Sequence, residues 1–178
     1  MTRALRSRLW RFRRDEDGNS TIEFALTFPA VMVLFLSAIE LGYVTLQHGM
    51  LERAMDMTVR DIRLGTGTAP QHDDIKDLIC TRAGFIRNCS DNLRLEMVRV
   101  DPRAWNAPPE TPDCTDQSED VKPVRDFVQG RSNELMFLRA CAKIDPIFPT
   151  TGLGASMTKD GAGQFALVSN SAFVQEPQ

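Results

Sequence analysis

From Phe24 to Ile39 the chain runs sixteen residues without a charge, and the apolar stretch continues to Leu46 with only Glu40 interrupting it. A helix over Thr21 to Leu46 is a rod of roughly 39 Å, longer than the ~30 Å hydrocarbon core of a bilayer. That length and composition predict a membrane span. Glu40 falls about 25 Å beyond Glu23 along such a helix, near the far interface, where Tyr43 fits as an interfacial aromatic.

The flanks set the orientation. Arg3, Arg6, Arg8, Arg11, Arg13 and Arg14 precede the run, whereas mixed charge follows it. Positive-inside bias puts residues 1–20 in the cytoplasm and everything after about residue 46 across the membrane. A secretory signal peptide would have a shorter apolar core and a small-x-small cleavage site. Leu36-Ser37-Ala38 is a poor site, and the helical pattern passes straight through it. An uncleaved signal anchor accounts for the arginines and the length but leaves Glu23 unexplained. A carboxylate just inside a membrane helix costs roughly 3 kcal/mol on insertion scales.

Gly18 stands five residues before Glu23, with Phe24 next, in the order basic leader, acidic patch, glycine, glutamate and apolar run. This resembles the processing motif of type IV prepilins, closest to the Flp/Tad branch. The block RRFRRDEDGNSTIEFALTFPAVMVLFLSAIELG resembles the N-terminus of a TadE-like pseudopilin of the tight-adherence system. The family often has Tyr after the glutamate; Phe24 keeps the ring and loses the hydroxyl. The resemblance covers about the first 60 residues. It returns weakly at the C-terminus, where Ala172 to Pro177 is similar to a strand ending in Glu-Pro.

The resemblance implies a prepilin peptidase that cuts after Gly18 and leaves a new amine on Asn19. It implies that Glu23 then meets the N-terminal amine of a neighbouring subunit, an ion pair strongly favoured at low dielectric over either charge alone. Simple snorkelling of Glu23 to the cytoplasmic interface is the competing use. The leader carries six arginines against three acids, or +3, and the whole chain is −3, so residues 19–178 carry −6. Cleavage would remove the arginines that resist crossing. Implied partners are the peptidase, other pilins and pseudopilins (an Flp-type major pilin, a TadF-like subunit), an inner-membrane assembly platform and membrane lipid. The implied location is the bacterial inner membrane with the head periplasmic, or an extracellular pilus, in the service of adhesion and biofilm formation.

Beyond the membrane the helix continues. Val44, Gln47, Leu51, Ala54, Met55, Thr58, Val59 and Ile62 recur at spacings of three and four, the stripe of an amphipathic helix. Met50, Met55 and Met57 are expected in that packing surface, and Asp56 with Arg60 as an i, i+4 pair. Gly65, Gly67 and Pro70 are stop signals, so one helix is expected from Ser20 to Leu64. Pro29 removes one hydrogen bond inside it and bends it. The expected organisation is a leader over 1–18, a transmembrane helix over 19–46, its soluble continuation over 47–64 and a head over 65–178.

Within the head, Asp73 to Ala83 reads as a short helix. Leu93 to Val100 reads as a half-buried strand with Arg94 and Glu96 outward. Residues 106–123 are an acidic, proline-rich loop. Glu134 to Ile144 fits helix or strand; strand is preferred because Pro146, Pro149 and Gly152 follow and the family head has a sheet. Gln164 to Val174 is the third strand. The fold class is α+β: a long stem helix carrying a small antiparallel sheet.

Cys80, Cys89, Cys114 and Cys141 all fall on the outer side, where an even count argues for two disulfides. Three pairings are open. The favoured one joins Cys80 to Cys89 across a short loop and Cys114 to Cys141 between the acidic loop and a strand. Metal binding is disfavoured, since no CxxC occurs and His48 and His72 are poorly spaced. No cofactor is expected. His48 is expected as an interfacial side chain and His72 in a loop. Without a P-loop, GxSxG, HExxH or nucleotide turn, an enzyme is not expected. The acidic mature chain argues against nucleic acid. The alternative function is an uncleaved, single-pass anchored domain that binds or scaffolds.

Overall fold

The computed structural model describes residues 20–64, 70–104, 107, 109–116, 118 and 127–177. One helix, α1 (Ser20–Leu64), takes up the first 45 of these without a break. It is followed by α2 (His72–Ala83), a short α3 (Cys89–Asn92), strands β1 (Leu93–Val100) and β2 (Leu135–Ile144), a single turn α4 (Gly152–Ser156) and β3 (Phe165–Val174). The fold is α+β, a long apolar helix followed by a three-stranded antiparallel sheet in the order β1-β2-β3. The described part of the acidic loop, 107, 109–116 and 118, contains no helix or strand.

The stem supplies one wall of the core. Gln47, Leu51, Ala54, Met55, Thr58, Val59 and Ile62 are buried on one side of α1, and Val44 packs at the margin. Those positions recur every three or four residues, so they share a face. Opposite them lie Leu93, Leu95 and Met97 of β1, Met136, Leu138, Ala140 and Ala142 of β2, and Phe165, Leu167 and Phe173 of β3. The antiparallel register aligns them: Leu95 pairs with Ala140, and Leu138 with Ser171. Ile75, Ile79 and Ala83 of α2 close the side. A small sheet alone buries too little apolar surface to be stable, and the second half of the stem provides the missing layer.

Three expectations are corrected here. Met50 and Met57 remain 36% and 37% exposed, and only Met55 enters the core, because one helical face cannot hold positions 50, 55 and 57 together. Arg94 lies on the outer face, where alternation places it, but the acidic loop covers it there. It is buried, with Nη2 2.9 Å from the Asp113 carboxylate of the acidic loop. Asp56 and Arg60 form no ion pair among the described residues; two later stem charges, Asp61 and Arg63, meet the head instead. Arg82 pairs with Asp61 and donates to Thr58 Oγ1 at 3.0 Å, and Arg63 meets Glu176 at 3.2 Å.

The outer face of the sheet carries a polar row in register. Arg139 donates to Glu96 Oε2 at 3.3 Å and to Asn170 Oδ1 at 3.2 Å, and its guanidinium lies 5.3 Å from the Phe137 ring centroid. Disulfides join Cys80 to Cys89, tying α2 to α3, and Cys114 to Cys141, fastening the acidic loop across that face. Glu134 accepts from the Arg131 backbone N–H and from Arg99, and these hold its carboxyl below the usual carboxylate range. At the far end Gln175 Nε2 donates to the Ile62 carbonyl at 3.0 Å, so the chain's tail is bound to the end of the stem.

Leu51 has no exposed surface and lies between stem and sheet. Leu51→Ala is expected to lower the stability of the head by about 2–5 kcal/mol, read as a fall in the urea midpoint of the detergent-solubilised chain with an unchanged slope.

Candidate functional site in the stem helix

The first half of α1 is built for surroundings other than water. Ile22, Phe24, Leu26, Phe28, Val31, Val33, Leu34 and Phe35 are all exposed. The apolar 18-residue window of this helix has a mean hydropathy of 2.1, and none of it is buried by the rest of the chain. It is the one helix among the described residues long and apolar enough to cross a membrane. An apolar surface of this extent marks a lipid-facing or partner-facing element. The helix passes through Pro29 without interruption. Proline has no N–H, so the Ala25 carbonyl loses its usual donor. Thr27 returns its hydroxyl to the Glu23 carbonyl at 2.8 Å.

Glu23 lies in the first turn of α1, exposed, with Phe24 beside it and the Phe24 and Phe28 rings stacked at 5.0 Å. A carboxylate at that position is favoured by the helix dipole, whose positive end is there. Gly18 and Asn19, the other two residues of the expected processing motif, lie outside the described residues.

Glu40 is the residue that sequence reasoning missed. It has no exposed surface. Its two oxygens accept from the backbone N–H groups of Ile147, at 3.0 Å, and Phe148, at 2.9 Å. Those amides belong to Asp145-Pro146-Ile147-Phe148-Pro149, where the prolines offer no N–H of their own. One turn lower, Ser37 Oγ accepts from Leu153 N–H at 3.2 Å and donates to the Val33 carbonyl at 2.7 Å. Gly152, at a φ of 54°, and Gly154 make the approach possible. A Cβ on Gly152 would collide with Ser37 Oγ, and one on Gly154 with the Phe148 carbonyl. Lys159 binds the Pro149 and Gly154 carbonyls at 2.8 and 2.6 Å and closes the loop on itself. An isolated buried carboxylate would cost several kcal/mol. Two hydrogen bonds to a charged acceptor, about 1.5–3 kcal/mol each, offset that and clamp the head to the stem.

The readable signal was spacing. Ser37 and Glu40 extend the buried stripe of Val44, Gln47 and Leu51 at intervals of three and four. His48 joins the same junction, with Nε2 3.1 Å from the Val168 carbonyl of β3. It faces the head rather than a membrane interface alone. His72 opens α2 instead of standing in a loop, with its ring edge-on to Phe127 at 5.2 Å. Its imidazole holds the Asp73 carboxyl below the usual range, and the Ser118 hydroxyl and N–H do the same for Asp116.

With this geometry in place, comparison with known proteins places the stem. Residues 18–60 match the family described as TadE-like protein. The stem is TadE-like. The TadE-like match begins at Gly18, spans Glu23, Phe24 and Glu40, and stops before the sheet, so it covers both halves of α1 and none of the head. No curated protein and no solved structure matches the chain.

Glu40→Ala removes both acceptors while leaving the sheet intact. The amides of Ile147 and Phe148 are expected to exchange with solvent deuterium at least about tenfold faster, from the loss of one or more such bonds. Glu40→Gln, which keeps one acceptor oxygen, is expected to fall between. Unchanged protection at both amides in Glu40→Ala would contradict the clamp.

Proposed function

We propose that the chain is a minor pilin-like subunit, a pseudopilin, of a Tad/Flp-type pilus. It is made as a membrane-anchored precursor with its N-terminus cytoplasmic and its head periplasmic. A prepilin peptidase removes residues 1–18 after Gly18 and leaves an amine on Asn19. The single observation that carries this reading is the TadE-like match beginning at Gly18 over a helix whose uncovered apolar half bears Glu23. An exposed apolar rod with one carboxylate in its first turn suits both a bilayer and a bundle of like helices. In lipid it spans; in a filament its neighbours cover it.

In that role Glu23 is the docking charge. Once the leader is gone, the carboxylate of one subunit meets the Asn19 amine of the next, and the pair replaces a lone charge in a low-dielectric bundle. The subunit is structural, not enzymatic. It works with other pilins and pseudopilins and with an inner-membrane assembly platform, and the pilus serves surface adhesion and biofilm formation.

Mass spectrometry of the membrane-extracted chain, produced with and without a prepilin peptidase, tests the reading. The expected product begins at Asn19 only when the peptidase is present, and Gly18→Leu keeps the full leader. Glu23→Ala is expected to be cut but to fail to co-purify with partner pilins. An intact segment 1–18 in the presence of active peptidase would point instead to an uncleaved anchored scaffold.

A further inference from the structure

Between β2 and β3 the chain runs from Pro146 to Thr158, thirteen residues without a charged side chain. This strap holds the two amides that bind Glu40 and, in α4, the Leu153 N–H that binds Ser37. It therefore grips the stem on its apolar half. It reaches as low as Val33, itself 46% exposed: a Cβ on Gly152 would stand 3.4 Å from the Val33 carbonyl. Outward from the stem the strap is apolar. Ile147 is 43% exposed, Pro149 and Ala155 are exposed, and Phe148, Leu153 and Met157 are half-buried. This surface adjoins the uncovered apolar surface of α1 and extends it sideways onto the head.

Much of the strap's backbone is satisfied without water. Pro146 and Pro149 have no N–H, and Ile147 and Phe148 give theirs to Glu40. The N–H groups of Thr151, Ala155 and Met157 donate to the Phe148, Thr151 and Leu153 carbonyls at 3.4, 3.3 and 3.2 Å. Ser156 Oγ donates to the Leu153 carbonyl at 2.8 Å, and the Lys159 ammonium takes the carbonyls of Pro149 and Gly154. A loop in water has no need of such accounting, whereas irregular backbone at membrane depth does. Height along the stem agrees. With Ser20 at one hydrocarbon boundary, Val33 stands about 20 Å along the helix, Ser37 about 26 Å and Glu40 about 30 Å. The hydrocarbon core is ~30 Å thick, so the strap is seated at its far boundary. We propose that Pro146–Thr158 is a second membrane contact, which rests its exposed apolar side chains between the acyl chains and head groups of the leaflet nearest the head. Because the strap is bound to the stem at Glu40 and Ser37, that contact sets the height and tilt of the head over the lipid. It rests on the membrane-anchored reading of α1 and is independent of leader cleavage.

Depth quenching of the full chain in lipid bilayers tests it. A bimane label on Ile147→Cys, or on Ala155→Cys in α4, is compared in ordinary phosphatidylcholine and in phosphatidylcholine brominated on the upper acyl chain. Phe28→Cys is the reference inside the span. Val174→Cys is the reference outside it, since Val174 is 51% exposed and precedes the residue that binds the end of the stem. The expected result is loss of fluorescence in brominated lipid at 28, 147 and 155 and no loss at 174. The two strap variants replace exposed side chains on different parts of the strap, so either one decides the matter if the other disturbs the Glu40 clamp. Quenching at 28 with none at 147 or 155 would overturn the contact and leave the anchored reading standing. Absence of quenching at 28 would contradict the anchored reading itself. An unquenched label at 147 together with Ile147→Cys disulfide dimers in dense proteoliposomes would overturn lipid as the occupant and put a second copy of the chain there.

Discussion

The buried carboxylate of Glu40 holds the two halves of this molecule in one arrangement. Below it α1 is apolar and uncovered; above it the same helix is the inner wall of a folded head. A helix of 45 residues with such different sides would otherwise leave the head free to tilt away from the stem. Two backbone amides on one carboxylate, with Ser37 and Leu153 one turn lower, fix the lower edge of the head at a defined height. Gln175 and Arg63 fix the upper edge. Between these ends the apolar stripe from Val44 to Ile62 does the rest.

That arrangement also explains how so small a head is stable. Three strands and one short helix do not enclose a core, so the stem lends its second half, and two disulfides tie helix to helix and the acidic loop to the sheet. The Cys114–Cys141 bridge and the Arg94–Asp113 pair together fasten the acidic loop over the polar face of the sheet. Stem and head are then one folding unit, and the apolar first half of the helix is left uncovered.

Much of this was legible from residue pattern. Spacing of three and four marks the buried face of α1, alternation marks β1, and Gly65, Gly67 and Pro70 mark the stem's end. The legible features are local. Glu40 escapes because hydropathy over a window assigns it to the span, although its spacing belongs to the stripe; its partners are more than 100 positions away. The burial of Arg94 escapes for the same reason, since alternation places it outward, as it is, and only a distant loop covers it there. Met50 and Met57 show the converse error: residue type suggests packing where helical geometry forbids it. At the candidate site Glu23 and Phe24 stand out as a motif, whereas the contact of Ser37 with Leu153 becomes visible only once stem and head are assembled.

We propose that one continuous helix meets lipid in its first half and protein and water in its second. No free cysteine exists among the described residues, so single cysteines placed at Phe24, Phe28, Val31, Phe35, Met50 and Met57 can each carry a spin label. In lipid nanodiscs, collision with oxygen should dominate over collision with a nickel chelate from position 24 through 35. The order should reverse at 50 and 57. Nickel-dominated collision at the four lower positions would contradict the account.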